Sequence, residues 1–133
     1  MKILRIRTRE RSQLFEITKM VAEVVRKSGV RNGVLVAQSL HTTAALTINE
    51  NADPDVVHDV LSKLERLVPH EEPFYRHAEG NRDSHLKTSL FGPSLSVIIS
   101  DGELVLGTWQ GIYLCEFDGP RERRVAVQLL AAA

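Results

Sequence analysis

The chain has 133 residues, 43% of them hydrophobic and 26% charged, with 17 Lys plus Arg balanced by 17 Asp plus Glu. That supports one ordinary core and excludes global disorder, and the zero net charge argues against a general nucleic-acid binder. A single cysteine, Cys115, excludes both an internal disulfide framework and a zinc site built on several thiolates.

No apolar run approaches the roughly 20 residues of a membrane span. Lys2 comes too early for the apolar region of a signal peptide. The expectation is one soluble, cytoplasmic domain without a membrane or nucleic-acid partner.

Residues 2–8 alternate, with Ile3 and Ile6 apolar and Arg5, Arg7, Arg9 and Arg11 at spacing two. This reads as a strand with an arginine face, and Ser12–Phe15 as its hairpin partner. Ile17, Met20, Val21, Val24 and Val25 share one helical face over 18–28. Gly29 is a natural stop. Val34–Ala37 and Ala44–Ile48 read as strands. Asp53 is a good N-cap and Pro54 a good first helical residue. The helix they open carries Val57, Val60, Leu61, Leu64 and Val68 at helical spacing and ends at Pro69.

Residues 70–83 have no period, and so long an irregular segment in a small domain is often functional. A short helical piece is expected at Ser84–Phe91. Strands follow at 95–99, 104–106, 112–117 and 125–130, the first two joined by an Asp101-Gly102 turn. The fold class is α+β, a mostly antiparallel sheet with two main helices.

Five histidines differ in setting. His58 shares the charged side of its helix with Ser62 and Glu65 and reads as solvated, and His70 follows Pro69 in a charged turn. His41 lies between two buried strands, while His77 and His85 bracket the irregular loop. Three imidazoles with an open fourth position are a catalytic-zinc pattern, although the spacing alone favours three separate loop histidines bonded to backbone or water. Glu50 and Glu79 are candidate general bases or partners fixing a histidine tautomer. Glu50 also reads as a simple helix-start charge.

Thr42, Thr43, Asn49, Asn51, Asn81, Lys87, Ser89 and Gln110, with Arg76 and Arg82, are candidate grips for a phosphate or diphosphate. No phosphate loop or dinucleotide fingerprint is present. Cys115 reads as a packed thiol, and Trp109 as a pocket or core aromatic.

Three segments together carry a resemblance. They are His41–Val56, then Tyr75–Asn81 followed by His85–Leu90, then Gly107–Tyr113. In this order and spacing the chain resembles the YjbQ family, largely uncharacterised proteins also labelled secondary thiamine-phosphate synthases. The resemblance spans nearly the whole chain. It departs at Ser84, where a small apolar residue is more usual, and at the Ala131–Ala133 tail.

The resemblance implies a strongly bent mixed sheet, a homotrimer, a polar cleft holding a metal, and a weak diphosphate-releasing synthase activity. It favours His41, His77 and His85 as metal or substrate ligands. Thr43, Asn49, Glu50, Glu79, Asn81, Lys87, Ser89 and Gln110 become cleft residues, with Lys87 sharing the diphosphate charge. Three histidines favour zinc over magnesium, which prefers oxygen ligands. The expected function is a metal-dependent enzyme acting on a small phosphorylated molecule. The competing reading is a non-enzymatic trimer that binds a metabolite or anion.

Overall fold

A computed structural model describes residues 1–133. In chain order the elements are β1 (Lys2–Arg7), β2 (Gln13–Glu16), α1 (Thr18–Ser28), β3 (Gly33–Ser39), β4 (Ala44–Glu50), α2 (Pro54–Leu67), α3 (Arg82–Phe91), β5 (Ser94–Ser100), β6 (Glu103–Leu104), β7 (Gln110–Glu116) and β8 (Glu122–Ala131). The strands form a five-stranded sheet, β1-β8-β3-β5-β6, and a three-stranded sheet, β2-β7-β4. Every ladder is antiparallel, with no parallel pair.

The α+β class holds, and the structure refines three expectations. Gln13–Glu16 is a strand, but it pairs with β7 in the other sheet rather than with β1. The arginine row breaks at the end of β1, because Arg11 turns inward to a buried carboxylate. The short piece before Gly92 is a third full helix.

Period-two burial explains the layering. Leu4, Ile6, Leu35, Ala37, Val97, Ile99, Val125 and Val127 form the inner face of the larger sheet. They meet Ala44, Leu46, Ile112 and Leu114 of the smaller sheet and Val21 and Val25 of α1. Ala45, Tyr113, Cys115 and Phe117 point the other way, against Leu64 of α2 and Phe91 at the end of α3. β7 is therefore buried on both faces, which is why its sequence is nearly continuous apolar rather than alternating.

Local chemistry sets the helix ends. Asp53 accepts the Asp55 N–H at 2.9 Å, the cap its position predicts. Gly29 closes α1 at φ 73°, a left-handed conformation that favours glycine.

The outer face of the larger sheet has a different character. Val34 of β3 lies opposite Leu130 of β8 on one side and Ile98 of β5 on the other. Leu130 is 59% exposed and Ile98 61%. No helix packs on this apolar row.

Candidate functional site

The irregular segment before α3 is ordered by its own side chains. Tyr75 Oη donates to the Pro69 carbonyl (2.8 Å), and His70 Nε2 donates to the Gly80 carbonyl (2.7 Å). A carbonyl only accepts, so His70 carries a proton on Nε2. It clamps the two ends of the loop, a role the sequence did not reveal. Arg82 ties the loop to α3, donating from Nη1 to Glu71 Oε2 (2.8 Å) and from Nε to the His77 carbonyl.

These ties leave a cleft of about 490 Å³ lined by Phe74, Tyr75, Arg76, His77, Arg82, His85 and Leu86. The His77 and His85 rings meet edge to face with centroids 5.0 Å apart. Phe74 and Tyr75 form a second edge-to-face pair at 5.2 Å, and the Arg82 guanidinium lies 5.8 Å from the Tyr75 ring centre. Glu79 Oε2 is 3.7 Å from His77 Nε2. Four rings, two guanidinium groups and a nearby carboxylate thus share one opening. Arg82 and His85 are three residues apart in α3, hence on one helical face.

A larger groove of about 620 Å³ runs between α1 and the β1–β8 edge. Met20, Val24 and Leu129 dominate its wall and lysines its rim, with no histidine. Acid–base groups mark a reactive site better than volume does, so the candidate site is the smaller cleft.

The remaining sequence candidates lie elsewhere. Lys87 is 1% exposed, with Nζ 3.1 Å from both Asp83 Oδ2 and Glu65 Oε1, and it does not line the cleft. Arg11 grips the same Asp83 at 3.2 and 3.0 Å. Burial alone would raise the Asp83 pKa, but the bonds from Arg11 and Lys87 outweigh it and hold the carboxylate below its usual range.

Asn81 is buried, donates to Asp118 Oδ2 (2.8 Å) and leaves its own Oδ1 without a partner. Ser89 is exposed on α3, in a shallow depression beside Leu67 and Leu90. Asn49 Oδ1 accepts the Glu50 N–H (2.7 Å), and Glu50 Oε2 accepts the Asp53 N–H (3.2 Å) at the entry to α2. Gln110 Oε1 accepts the Gly107 N–H (2.8 Å) and closes a turn. Trp109 is exposed.

β4 separates Glu50 from Thr43 by seven residues, about 20 Å at strand rise. The first conspicuous motif is therefore stretched along a strand rather than folded around one point. Thr42 is exposed. Thr43 is buried and accepts from Arg123 Nη2 (2.8 Å).

That arginine is 1% exposed and pairs with Glu116, which is 0% exposed and also accepts from Thr8 Oγ1 (2.7 Å) and the Asp118 N–H (3.0 Å). Burial pushes Glu116 up, but Arg123, Thr8 and the Asp118 amide hold it below the usual carboxylate range. The sequence signal for this pair was a glutamate inside an apolar run, since a buried charge needs a partner.

His41 lies at the end of β3, with Nε2 accepting the Arg124 backbone N–H (2.8 Å). Within the chain, no three His, Cys, Asp or Glu side chains come together in a metal-binding arrangement. The three-histidine set expected from the sequence is thus split, with His77 and His85 paired and His41 engaged elsewhere. Cys115 is buried, and burial pushes its thiol pKa up, the packed thiol the sequence indicated.

Residues 2–132 match the family described as UPF0047 protein YjbQ-like. The chain belongs to this family. The UPF0047 protein YugU of Bacillus subtilis is 45% identical over 130 residues, 98% of each chain. A UPF0047 protein of Methanocaldococcus jannaschii is 47% identical over 125 residues, covering 94% of this chain and 90% of the relative. The crystal structure of a YjbQ/UPF0047 family protein from Clostridium acetobutylicum superposes with a TM-score of 0.95 at 47% identity, covering 98% of this chain and 100% of that one. A YbjQ-like protein of unknown function from Sulfolobus solfataricus gives 0.93 at 32% identity, covering 98% and 96%. These names fix family and fold and state no activity. No helix here is long and apolar enough to cross a membrane.

Proposed function

We propose that this protein is a homo-oligomeric enzyme that acts on a small phosphorylated molecule bound in the His77–His85 cleft. The observation that carries this reading is the pair of imidazoles 5.0 Å apart, in one opening with Arg76 and Arg82. Histidine is the side chain best suited to exchange protons near neutral pH. One neutral and one protonated imidazole make an acid–base pair. A guanidinium matches phosphate oxygens and would stabilise charge on a departing phosphate or diphosphate; Arg76 would supply that charge, while Arg82, bonded to Glu71 and the His77 carbonyl, shapes the cleft and has only Nη2 to offer. Phe74 and Tyr75, set edge to face, give two apolar walls at nearly a right angle, against either of which an organic ring could rest. Phosphoester hydrolysis and diphosphate-releasing transfer both fall within this chemistry, and the synthase reaction implied by the resemblance is one case of the second.

A zinc ion does not fit the donors of one chain. Zinc needs three protein ligands with an open position, and His41 is engaged away from the other two. No step of the proposed reaction runs through a metal. Glu79 is placed to hold the His77 ring, and Lys87 to hold α3 in position beneath His85.

The bare row Leu130–Val34–Ile98 favours self-association, because an apolar strip on a sheet face without a covering helix is better buried. We assign this face to the homotrimer contact.

The test is turnover and ligand-induced stabilisation with phosphorylated metabolites, using His85→Ala and Arg82→Gln. Saturable stabilisation with turnover, both lost in the variants, supports the reading. Stabilisation without turnover would favour a binding protein. Metal content is measured in parallel on protein purified without chelator. One transition-metal ion per chain, lost in His77→Ala, would restore the metal role through a donor outside one chain.

A further inference from the structure

Strand β1 is the long free edge of the larger sheet. Its one strand partner is β8, and the opposite edge, β6, is only two residues long. The Thr8 N–H donates to the Arg121 carbonyl (3.0 Å), and hydrogen-bonded pairs alternate along an antiparallel ladder. Lys2, Leu4 and Ile6 therefore turn their backbone groups toward β8. Ile3, Arg5 and Arg7 turn theirs outward, so their N–H groups and carbonyls form a row without a strand partner.

Such an edge is a template for another strand. What it accepts is set by the side chains on either side of it. Leu4 and Ile6 point into the core, so Arg5 and Arg7 stand on the outer face. Arg124 lies directly opposite Arg5, and Glu122 opposite Arg7. Three guanidinium groups thus share this face with one carboxylate, which Arg5 approaches at 3.4 Å. That pair is well exposed and binds its members weakly. On the inner side, the groove of about 620 Å³ opens beside Lys2 and Leu4, against Met20 and Val24 of α1 and Val127 of β8. A strand laid along β1 would alternate its side chains between the arginines and this apolar groove.

A second copy of the chain does not suit this edge. Antiparallel pairing of two β1 strands sets Arg5 against Arg5, or Arg5 against Arg7, and like charges directly opposite repel. An acidic strand turns the same charges into an attraction. Antiparallel addition continues the pattern of the sheet, in which every ladder is antiparallel.

We propose that the free edge of β1 is a docking strand for an extended acidic segment of a partner protein. The segment adds antiparallel to β1, with carboxylates over Arg5 and Arg7 and the alternate, apolar side chains toward the α1–β1 groove. This surface is independent of the His77–His85 cleft.

The test uses the full chain and a short capped peptide alternating glutamate with valine. Amide hydrogen exchange followed by NMR reads the edge. In the free protein the Arg5 and Arg7 amides should exchange fast, and those of Leu4 and Ile6 slowly. The peptide should slow Arg5 and Arg7 saturably, and a peptide of the same composition with its glutamates in one block should not. Methylating the glutamate backbone nitrogens should abolish binding, because in this register those N–H groups face β1. Methylated valine nitrogens should be tolerated. Serine in place of valine should weaken binding by emptying the groove. Arg5→Glu with Arg7→Glu should weaken binding by about tenfold or more, as two exposed attractions become repulsions. A peptide with lysine in place of glutamate should then bind the variant. Both arginines are exposed, so the fold is retained.

No protection of Arg5 and Arg7 by the peptide, equal binding of the block or serine peptide, tolerance of methylated glutamates, or unchanged affinity in the charge reversal overturns the proposal. So does slow exchange of Arg5 and Arg7 in the free protein, which would mean that a second copy already covers the edge. His85→Ala should bind the peptide as wild type does, which separates failure here from failure of the cleft.

Discussion

Lys87→Met tests whether the lysine is a structural cation or a reactive one. Its ammonium lies 3.1 Å from Asp83 and from Glu65, over the Phe117 ring, with 1% of the residue exposed. Methionine fills similar volume and removes the charge. Glu65 is 54% exposed and would simply rehydrate, but Asp83 is fully buried and would depend on Arg11 alone. Removing one partner of a buried ion pair costs about 3–5 kcal/mol. The bidentate Arg11 contact that remains places this case at the lower end, about 3 kcal/mol. For a domain of this size that lowers Tm by about 10 °C. Urea unfolding measures the free energy, and scanning calorimetry measures the midpoint. Asp83→Asn combined with Lys87→Met should cost less than the sum of the single changes, because the two groups share one interaction. A loss below about 1 kcal/mol, the worth of a surface ion pair, would refute the structural assignment. Turnover abolished at unchanged stability would refute it more directly.

Acid should unfold the protein through the same networks. Asp83 and Glu116 are held below their usual pKa range, so their contribution is complete above their unfolded values near pH 4 and disappears as pH falls through the depressed ones. His41, made harder to protonate by burial and by the charges of Arg123 and Arg124, adds a loss that begins below about pH 6.5. Urea midpoints against pH should show both phases, and Arg123→Met should shrink the lower one. Cys115 should resist a thiol reagent in the native state and react only on unfolding; rapid native labelling would contradict its burial. On the proposed trimer, Ile98→Glu with Leu130→Glu should shift the sedimentation coefficient to that of a monomer while the circular dichroism spectrum is retained; a wild type that already sediments as a monomer, or an unchanged trimer coefficient in the variant, would contradict the contact assigned to this face.

Most elements were legible because local chemistry and tertiary packing agree there. Pro54 after Asp53, Gly29 after an amphipathic run, and Asp101-Gly102 between apolar runs each name their own geometry. The partner of β2 was not legible. Gln13–Glu16 follows β1 so closely that a hairpin is the economical reading, and only burial of both faces of β7 draws it into the other sheet.

The site divided in the same way. His77, His85, Arg76 and Arg82 come from one short stretch and converge by local folding. His41, Glu50 and Gln110 depend on how strands lie in the sheets, and strand β4 keeps Glu50 away from His41. Lys87 looked available because it follows His85 in a polar helix. Its pairing with Asp83, four residues earlier on α3, was legible from helical spacing, but its burial also rests on Glu65, and on Arg11 across Asp83, residues distant in sequence that no spacing rule reports.

The most direct test of the central claim is ligand-induced thermal stabilisation by a panel of phosphorylated heteroaromatic metabolites. It compares wild type, the parent, with His85→Ala. A saturable rise in Tm in the parent, abolished in His85→Ala, is the predicted result. The same rise in His85→Ala, or no compound that stabilises the parent, would contradict the assignment of the His77–His85 cleft as the functional site.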